Sequence, residues 1–246
     1  MSARPPELSI VIQAYNEERR LLRTLGRVRE YLEARRLDAE VIVVDDGSRD
    51  ATAKIVAEWR AQLPCLRLVS NPNNRGKGYS VRHGMLEARG RVVLVTDADL
   101  SAPLEEADKL LAALGSYDIA IGSRALDRSL IEVHQARWRE LAGICFNLLM
   151  RLLTGLPFAD TQCGFKAFLR ERTRLVFEQQ RVEGFGFDPE ILFLAKRHGL
   201  RTVEIPVRWA HDPETKVHVF LDGLRMLRDL LAIRWNWLLG RYPRKR

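Results

Sequence analysis

The chain has 246 residues, of which 46% are hydrophobic and 29% charged. That is enough apolar material for one large domain with a core, and no Gly/Ser/Pro-rich linker, repeat or low-complexity tract divides it. The net charge of +8 favours an anionic partner, but there is no Cys/His finger and no aromatic series interleaved with the basic residues, which disfavours a nucleic acid.

Leu8–Ile12 predicts a first strand. Asn16-Glu17-Glu18 opens a helix to about Arg36, with Leu21, Leu22, Leu25, Val28 and Leu32 on one face. Val41–Val44 is a continuous β-branched run of the kind found in buried parallel strands. It ends at the turn signal Asp45-Asp46-Gly47-Ser48, and Asp50 then caps a helix to about Leu63. Leu66–Val69 predicts a third strand, Gly76–Ala88 a loop and helix, Val92–Thr96 a fourth strand, Glu105–Leu114 a helix and Ile119–Ile121 a short strand. Strands alternating with helices imply βαβ units and a mostly parallel central sheet flanked by helices.

Past residue 125 the rhythm changes. Ile131–Thr154 predicts an amphipathic helix. No run of 18 uncharged apolar residues occurs, so no spanning helix is expected. The nearest approach, Leu141–Phe158, is interrupted by Asn147 and Arg151 and is expected to be a core helix. Lys166–Leu169 predicts a strand, Pro189–His198 a helix, Val203–Val207 a strand and Phe220–Leu239 a last helix. That helix carries Phe220, Leu224, Leu227, Leu231, Trp235 and Leu238 on one stripe, beside Arg225, Arg228, Arg234 and the basic cluster Arg241, Arg244, Lys245 and Arg246. Such a pattern suits either an interfacial helix on anionic lipid or an ordinary amphipathic helix packed on the sheet. Met1–Glu7 shows no apolar signal segment. The three cysteines, Cys65, Cys145 and Cys163, have no metal-ligand spacing and suit a reducing compartment.

The chemistry lies at the strand ends. Asp97-Ala98-Asp99 closes the apolar run Val92–Thr96. Two carboxylates flanking one residue either hold a divalent cation that grips phosphate oxygens or simply open a helix as solvated caps. Glu17, Asp45 and Asp46 also follow predicted parallel strands, so the acidic groups converge on one rim, where open α/β sheets bind ligands. The turn after the first strand, Gln13-Ala14-Tyr15-Asn16-Glu17, is not Gly-rich. Gly76-Lys77-Gly78 lacks both the third glycine of a dinucleotide fingerprint and the upstream glycine of a Walker loop, so dehydrogenases and P-loop enzymes are disfavoured.

Several segments together carry a resemblance: Ala14-Tyr15-Asn16-Glu17-Glu18, Val44-Asp45-Asp46-Gly47-Ser48, Asn74-Arg75-Gly76-Lys77-Gly78, Asp97-Ala98-Asp99, Ile121-Gly122-Ser123-Arg124 and Asp160-Thr161-Gln162-Cys163-Gly164-Phe165-Lys166. The sequence resembles inverting family 2 glycosyltransferases of the A-type fold, and more narrowly the dolichyl-phosphate glucosyltransferase and polyprenyl-phosphate glycosyltransferase family. The last segment is the most specific and points to the glucosyl subgroup.

The change of rhythm near residue 125 divides a single domain: residues 1–125 are expected to form a Rossmann-like nucleotide-sugar-binding half, and 126–246 an acceptor-binding half ending in the amphipathic helix. The resemblance implies a nucleotide-sugar donor, UDP-glucose, a polyprenyl phosphate acceptor and a divalent cation, Mg or Mn. Ala14, Tyr15, Glu17 and Asp46 would line the base and ribose pocket. Asp97 would bridge nucleotide and metal, Asp99 would coordinate the metal, and Lys77 would add positive charge. Arg124 and Arg139, with Arg137 in reserve, would hold the acceptor phosphate, because the planar guanidinium fork matches phosphate. Lys216 would steer the same phosphate. Asp160 would either orient the acceptor or sugar or act as a structural cap, and Gln162 would reach the sugar or the metal shell. Relatives with a GDP-mannose donor, and a soluble sugar or protein as acceptor, are the alternatives. The expected location is peripheral, on the cytoplasmic face of the membrane.

Overall fold

The computed structural model describes residues 5–212 and 219–243, apart from the side chains of Arg139, Val219 and Phe220. Four parallel strands, β1 (Leu8–Ala14), β2 (Ala39–Asp45), β3 (Leu66–Ser70) and β4 (Val92–Asp97), form half of a seven-stranded sheet. The other half holds β5 (Ile119–Ser123), β7 (Lys166–Leu169) and β8 (Thr202–Pro206), and the strand order is β3-β2-β1-β4-β7-β5-β8. Only β7 runs against its neighbours. It lies between β4 and β5, so the two halves of the sequence share strands in one sheet.

The strands are apolar throughout because both faces are covered. Ile10, Ile12, Val41, Val43 and Leu94 pack with Leu21, Leu25, Val28, Val56 and Leu110 on one face. Those partners belong to α1 (Glu18–Arg35), α2 (Thr52–Trp59) and α4 (Ala107–Ala113). Val11, Ile42, Val44, Val93 and Val95 pack on the other face with Val81, Met85, Phe177, Ile191, Leu230 and Ile233. These come from α3 (Lys77–Glu87), α6 (Arg170–Gln179), α7 (Phe187–Arg197) and α8 (Val219–Leu238). Along α1 the expected apolar face is buried except at Leu22, which is exposed.

The second half departs from expectation in three places. Residues 131–154 are not one helix. Ile131–Val133 is a short strand, β6, pairing with β9 (Trp209–Ala210), and the helix α5 spans Arg137–Thr154. The alternation Ile131-Glu132-Val133 is a strand's pattern, too short to stand out beside the long apolar run that follows. Second, α5 is not a core helix. Met150 and Thr154 face inward, but Leu141 is 62% and Leu152 81% exposed, and Trp138, Ile144 and Leu148 are exposed as well. The helix is apolar on more than one side, and packing against α8 covers only part of it. Third, α6 had no sequence expectation: it is charge-rich, and only Thr173, Val176 and Phe177 are buried. No helix among the described residues is long and apolar enough to cross a membrane.

Helix α3 lies close against the sheet at Gly84. A Cβ there would run into Val11 Cγ1 and lie 2.9 Å from Val44 Cγ2. Gly84→Val should lower stability by about 1–3 kcal/mol through overpacking, seen as a lower urea midpoint; an unchanged midpoint would show that the sheet yields at this contact.

Candidate active site

Register places the acidic strand ends level with one another. Gln13 of β1 pairs with Asp97 of β4, and Ala14 with Asp45 of β2. Because β1 has a crossover on each side, its carboxyl end is the switch point of the sheet, where a crevice opens. The turns after β1 and β2 are stitched together. Asn16, at φ +53°, donates its N–H to Ser48 Oγ at 2.9 Å and accepts from Arg49 N at 2.8 Å. Asparagine tolerates this left-handed backbone better than most residues. The Glu17 N–H donates to Thr52 Oγ1 at 2.8 Å, while its carboxylate pairs with Arg20 at 3.2 Å. Arg20 also reaches Asp212 at 3.0 Å. Ala14 is buried and Tyr15 half-buried on the same rim.

Asp46 is buried and accepts hydrogen bonds from Asn71 Nδ2 (2.7 Å), Arg75 N (3.0 Å) and Gly76 N (2.7 Å). Its carboxylate thus pins the loop that opens α3, where Gly76 has φ +106°. The first residue of that helix is Lys77, whose Nζ donates to Asp97 Oδ1 at 2.5 Å. Gln13 Nε2 donates to the same oxygen. Burial acts to raise the Asp97 carboxyl, but the Lys77 ammonium overrides it and holds the group below the usual carboxylate range. Asp99 goes the other way: burial raises it, and the charge of Asp97 adds to the rise. Its Oδ1 accepts from Ser101 N at 2.9 Å.

Among the described residues no group of three or more His, Cys, Asp or Glu side chains could hold a metal ion. The donor set at Asp97 and Asp99 is nevertheless a fit for a hard divalent cation that keeps oxygens from a phosphate ligand or water. The charge of Asp97 weighs on Asp99, and Gln13 Oε1 is a buried acceptor with no partner among the described residues.

The carboxyl end of β5 brings a cationic group to the same rim. Arg124 follows β5 and forks onto Asp160 through Nε (2.7 Å) and Nη2 (2.9 Å), while its backbone N–H also donates to Asp160, at 3.0 Å. Its guanidinium lies 5.4 Å from the centre of the Trp209 ring. Burial of Asp160 is outweighed by the Arg124 charge and hydrogen bonds, which pull its carboxyl down to about 2. Glu204 of β8 fixes the turn, accepting from Ala159 N at 2.8 Å and Asp160 N at 2.6 Å. The same stretch touches Asp97, because any Cβ on Gly164 would collide with the Asp97 carboxylate.

The expected site residues therefore fall into groups. Glu17, Asp46, Lys77, Asp97, Asp99, Arg124 and Asp160 are carried by the same sheet edge and its loops. Gln162 turns its amide toward Met226 Sδ of α8, 3.7 Å away. Arg137 is exposed on the first turn of α5. Lys216 and the side chain of Arg139 lie outside the described residues. Four further residues had no sequence-based role. Gln13 and Glu204 are described above. Lys166, buried, donates to Asp188 Oδ1 at 2.6 Å and to Cys163 O, and Asp188 opens α7. Lys166 closes the most specific motif, which was its one visible signal; Asp188 in Phe-Asp-Pro-Glu looks like a helix-opening acid.

The chain matches the model of glycosyl transferase family 2 over residues 9–175, so it belongs to that family of glycosyltransferases. It is 38% identical over 249 residues to the dolichyl-phosphate beta-glucosyltransferase of Drosophila melanogaster, covering 95% of this chain and 76% of that one. The human enzyme of the same name is 35% identical with the same coverage. One from Trichomonas vaginalis is 36% identical over 237 residues, 92% of this chain and 72% of the relative. Within family 2 the chain is a member of the dolichyl-phosphate beta-glucosyltransferase family. Solved structures share the fold. Mannosyl-3-phosphoglycerate synthase from Rubrobacter xylanophilus superposes with a TM-score of 0.69 at 19% identity, over 98% of this chain and 77% of that one. Glucosyl-3-phosphoglycerate synthase from Mycobacterium tuberculosis, solved with Mg2+ and UDP, gives 0.63 at 21% identity, over 98% and 81%. The A-type fold and mostly parallel sheet expected from the sequence are thus both present.

Asp160 is ionised in the native state down to about pH 2, below the ~3.9 of an unfolded aspartate. Its folded value is depressed, so its stabilising effect is complete above the unfolded value and is lost as pH falls through the folded one. The stability deficit of Asp160→Asn, measured by urea denaturation, should shrink by about 2 kcal/mol between about pH 5 and about pH 2. A deficit that does not vary with pH would contradict the depressed value.

Proposed function

We propose that this chain transfers glucose from UDP-glucose to a polyprenyl phosphate of the dolichyl type, with inversion at the anomeric carbon and with a divalent cation, Mg or Mn, at Asp97 and Asp99. The observation that carries this is the meeting of two chemistries on one rim: the Asp97–Asp99 pair with Lys77, and the Arg124–Asp160 fork, joined where Gly164 abuts Asp97. The names and identities of the relatives supply the substrate class.

Ala14, Tyr15 and Glu17 take the base and ribose, and Asp46 acts by holding the loop that presents Lys77. When bound, the cation supplies positive charge to the departing diphosphate, a Lewis-acid role. Lys77 adds an ammonium on the same side. Arg124 and Arg139, with Lys216, hold the acceptor phosphate, and Asp160 sets the plane of Arg124. An acceptor phosphate with a second pKa of about 6 is mostly ionised at neutral pH, so its oxygen attacks the sugar's anomeric carbon without a protein base. The bond from that carbon to the UDP oxygen breaks as the new bond forms on the opposite face. An α-linked donor therefore gives a β-linked lipid product.

The enzyme works at the cytoplasmic face as a peripheral protein, with α8 on the lipid and α5 beside it. Along α8, Leu224, Leu231, Trp235 and Leu238 are exposed, and Leu227 is half-buried, while Leu230 and Ile233 pack inward. Exposed Arg225, Arg228 and Arg234 flank them, which suits an anionic leaflet.

Asp99→Ala should lower turnover by at least about 100-fold, since a charge clamp on a leaving group is worth several kcal/mol. The assay uses radiolabelled UDP-glucose, a polyprenyl phosphate and organic extraction, with GDP-mannose run in parallel. Label left in the aqueous phase by active wild-type enzyme would point to a soluble acceptor, and transfer from GDP-mannose alone would overturn the donor. Leu152→Glu with Leu238→Glu should weaken sedimentation with anionic phospholipid vesicles by at least about tenfold, because each leucine removed from water is worth about 2 kcal/mol. Undiminished vesicle binding would remove these helices from the membrane contact.

A further inference from the structure

The turn carrying Lys77 is held from two sides. On the sheet side Asp46 accepts the Arg75 and Gly76 N–H groups. On the other side lies the irregular segment 180–186 between α6 and α7. It rests flat on the first turn of α3: a Cβ on Gly78 would come within 2.6 Å of Phe187 Cβ, 2.7 Å of Val182 O and 2.8 Å of Gly184 O. Tyr79 N donates to Glu183 O at 3.1 Å, and Gln180 Nε2 donates to Gly78 O at 2.8 Å. Arg75 forks onto Glu183 and stacks over Tyr79.

This segment is itself fastened by one carboxylate. Glu190 of α7 is 0% exposed and accepts from Arg181 N at 3.0 Å and Val182 N at 2.8 Å. Its third donor comes from just past the end of α8, where the Tyr242 hydroxyl reaches Oε1 at 2.6 Å. Two more bonds tie the same stretch: Gln179 Nε2 to Pro243 O at 2.8 Å and Arg181 Nη2 to Arg241 O at 3.1 Å. Asp229 of α8 abuts Gly186 so closely that a Cβ there would lie 2.6 Å from its own. A buried carboxylate needs its donors, and losing one leaves part of its charge uncompensated.

We propose that Tyr242 is a positioning residue for the donor side of the site: through Glu190 it fixes segment 180–186, and with it the placement of Lys77 against Asp97. The inference rests on the reading that Lys77 faces the donor diphosphate. It gives the end of α8 a part in donor binding.

The test is a double-mutant cycle on the full chain, with UDP affinity measured by calorimetry in Mg2+ and with the KM of each substrate measured separately. Tyr242→Phe keeps the ring and removes one hydroxyl. It should weaken UDP binding and raise the UDP-glucose KM by about fivefold to tenfold, a part of the roughly tenfold to 150-fold worth of one hydrogen bond to a charged group, with the polyprenyl phosphate KM unchanged. In a Lys77→Ala background the same change should have no further effect on UDP affinity. Unchanged UDP affinity in Tyr242→Phe, or an equal loss in both backgrounds, would overturn the proposal. If Lys77→Ala alone leaves UDP binding intact, the reading of Lys77 fails instead, and the two failures are told apart. Should Tyr242→Phe not fold, Glu190→Gln, which keeps the buried shape, is read in the same cycle with the same outcomes.

Discussion

A carboxylate placed in a half-buried crevice must be compensated by charge or hydrogen bonds, and at Asp97 that compensation comes from separate parts of the chain. β1 supplies the Gln13 amide, and α3 supplies the Lys77 ammonium. The turn before β7 approaches so closely that position 164 has room for no side chain. Each contribution has its own support. Lys77 depends on a loop pinned by Asp46, and Gly164 on a turn whose start is held by Glu204. The crevice is therefore built by mutual constraint, with the acidic strand end at its centre and the two sequence halves meeting over it.

Burial and the charge of Asp97 raise the carboxyl of the neighbouring Asp99, whereas the Lys77 ammonium lowers that of Asp97. Two carboxylates from one short turn thus face different electrostatic surroundings. A pair of this kind is a natural partner for added positive charge, as the chemistry assigned to the site requires.

The first five strands were legible because each is a short apolar run bounded by turn signals, and burial on both faces leaves little other use for Val41–Val44 or Val92–Val95. The acidic rim was legible for the same reason: once the strands are parallel, residues just past their ends share an edge. What the sequence concealed depends on partners distant along the chain. Glu204 and Lys166 sit in strands whose role is set by Asp160 and Asp188, far away in sequence. The β6–β9 pair joins residues 131 and 209 through two very short stretches. Nor did the sequence show that the Asp46 carboxylate accepts from the backbone of the loop opening α3, about thirty residues further on. The outward face of α5 was hidden because apolar composition does not say which side is covered, or by what.

The antiparallel strand β7 has a consequence for how the molecule is made. β4 ends at residue 97 and β5 at 123, yet the two are joined only through residues 166–169. Until those residues have been synthesised, each strand has an open backbone edge, a template for pairing with other chains. The first 125 residues therefore do not amount to a closed folding unit, although they hold all five predicted acidic strand-end residues, Glu17, Asp45, Asp46, Asp97 and Asp99. Completion waits on a late, long-range pairing, the kind of closure that slows folding and rewards protection of nascent chains.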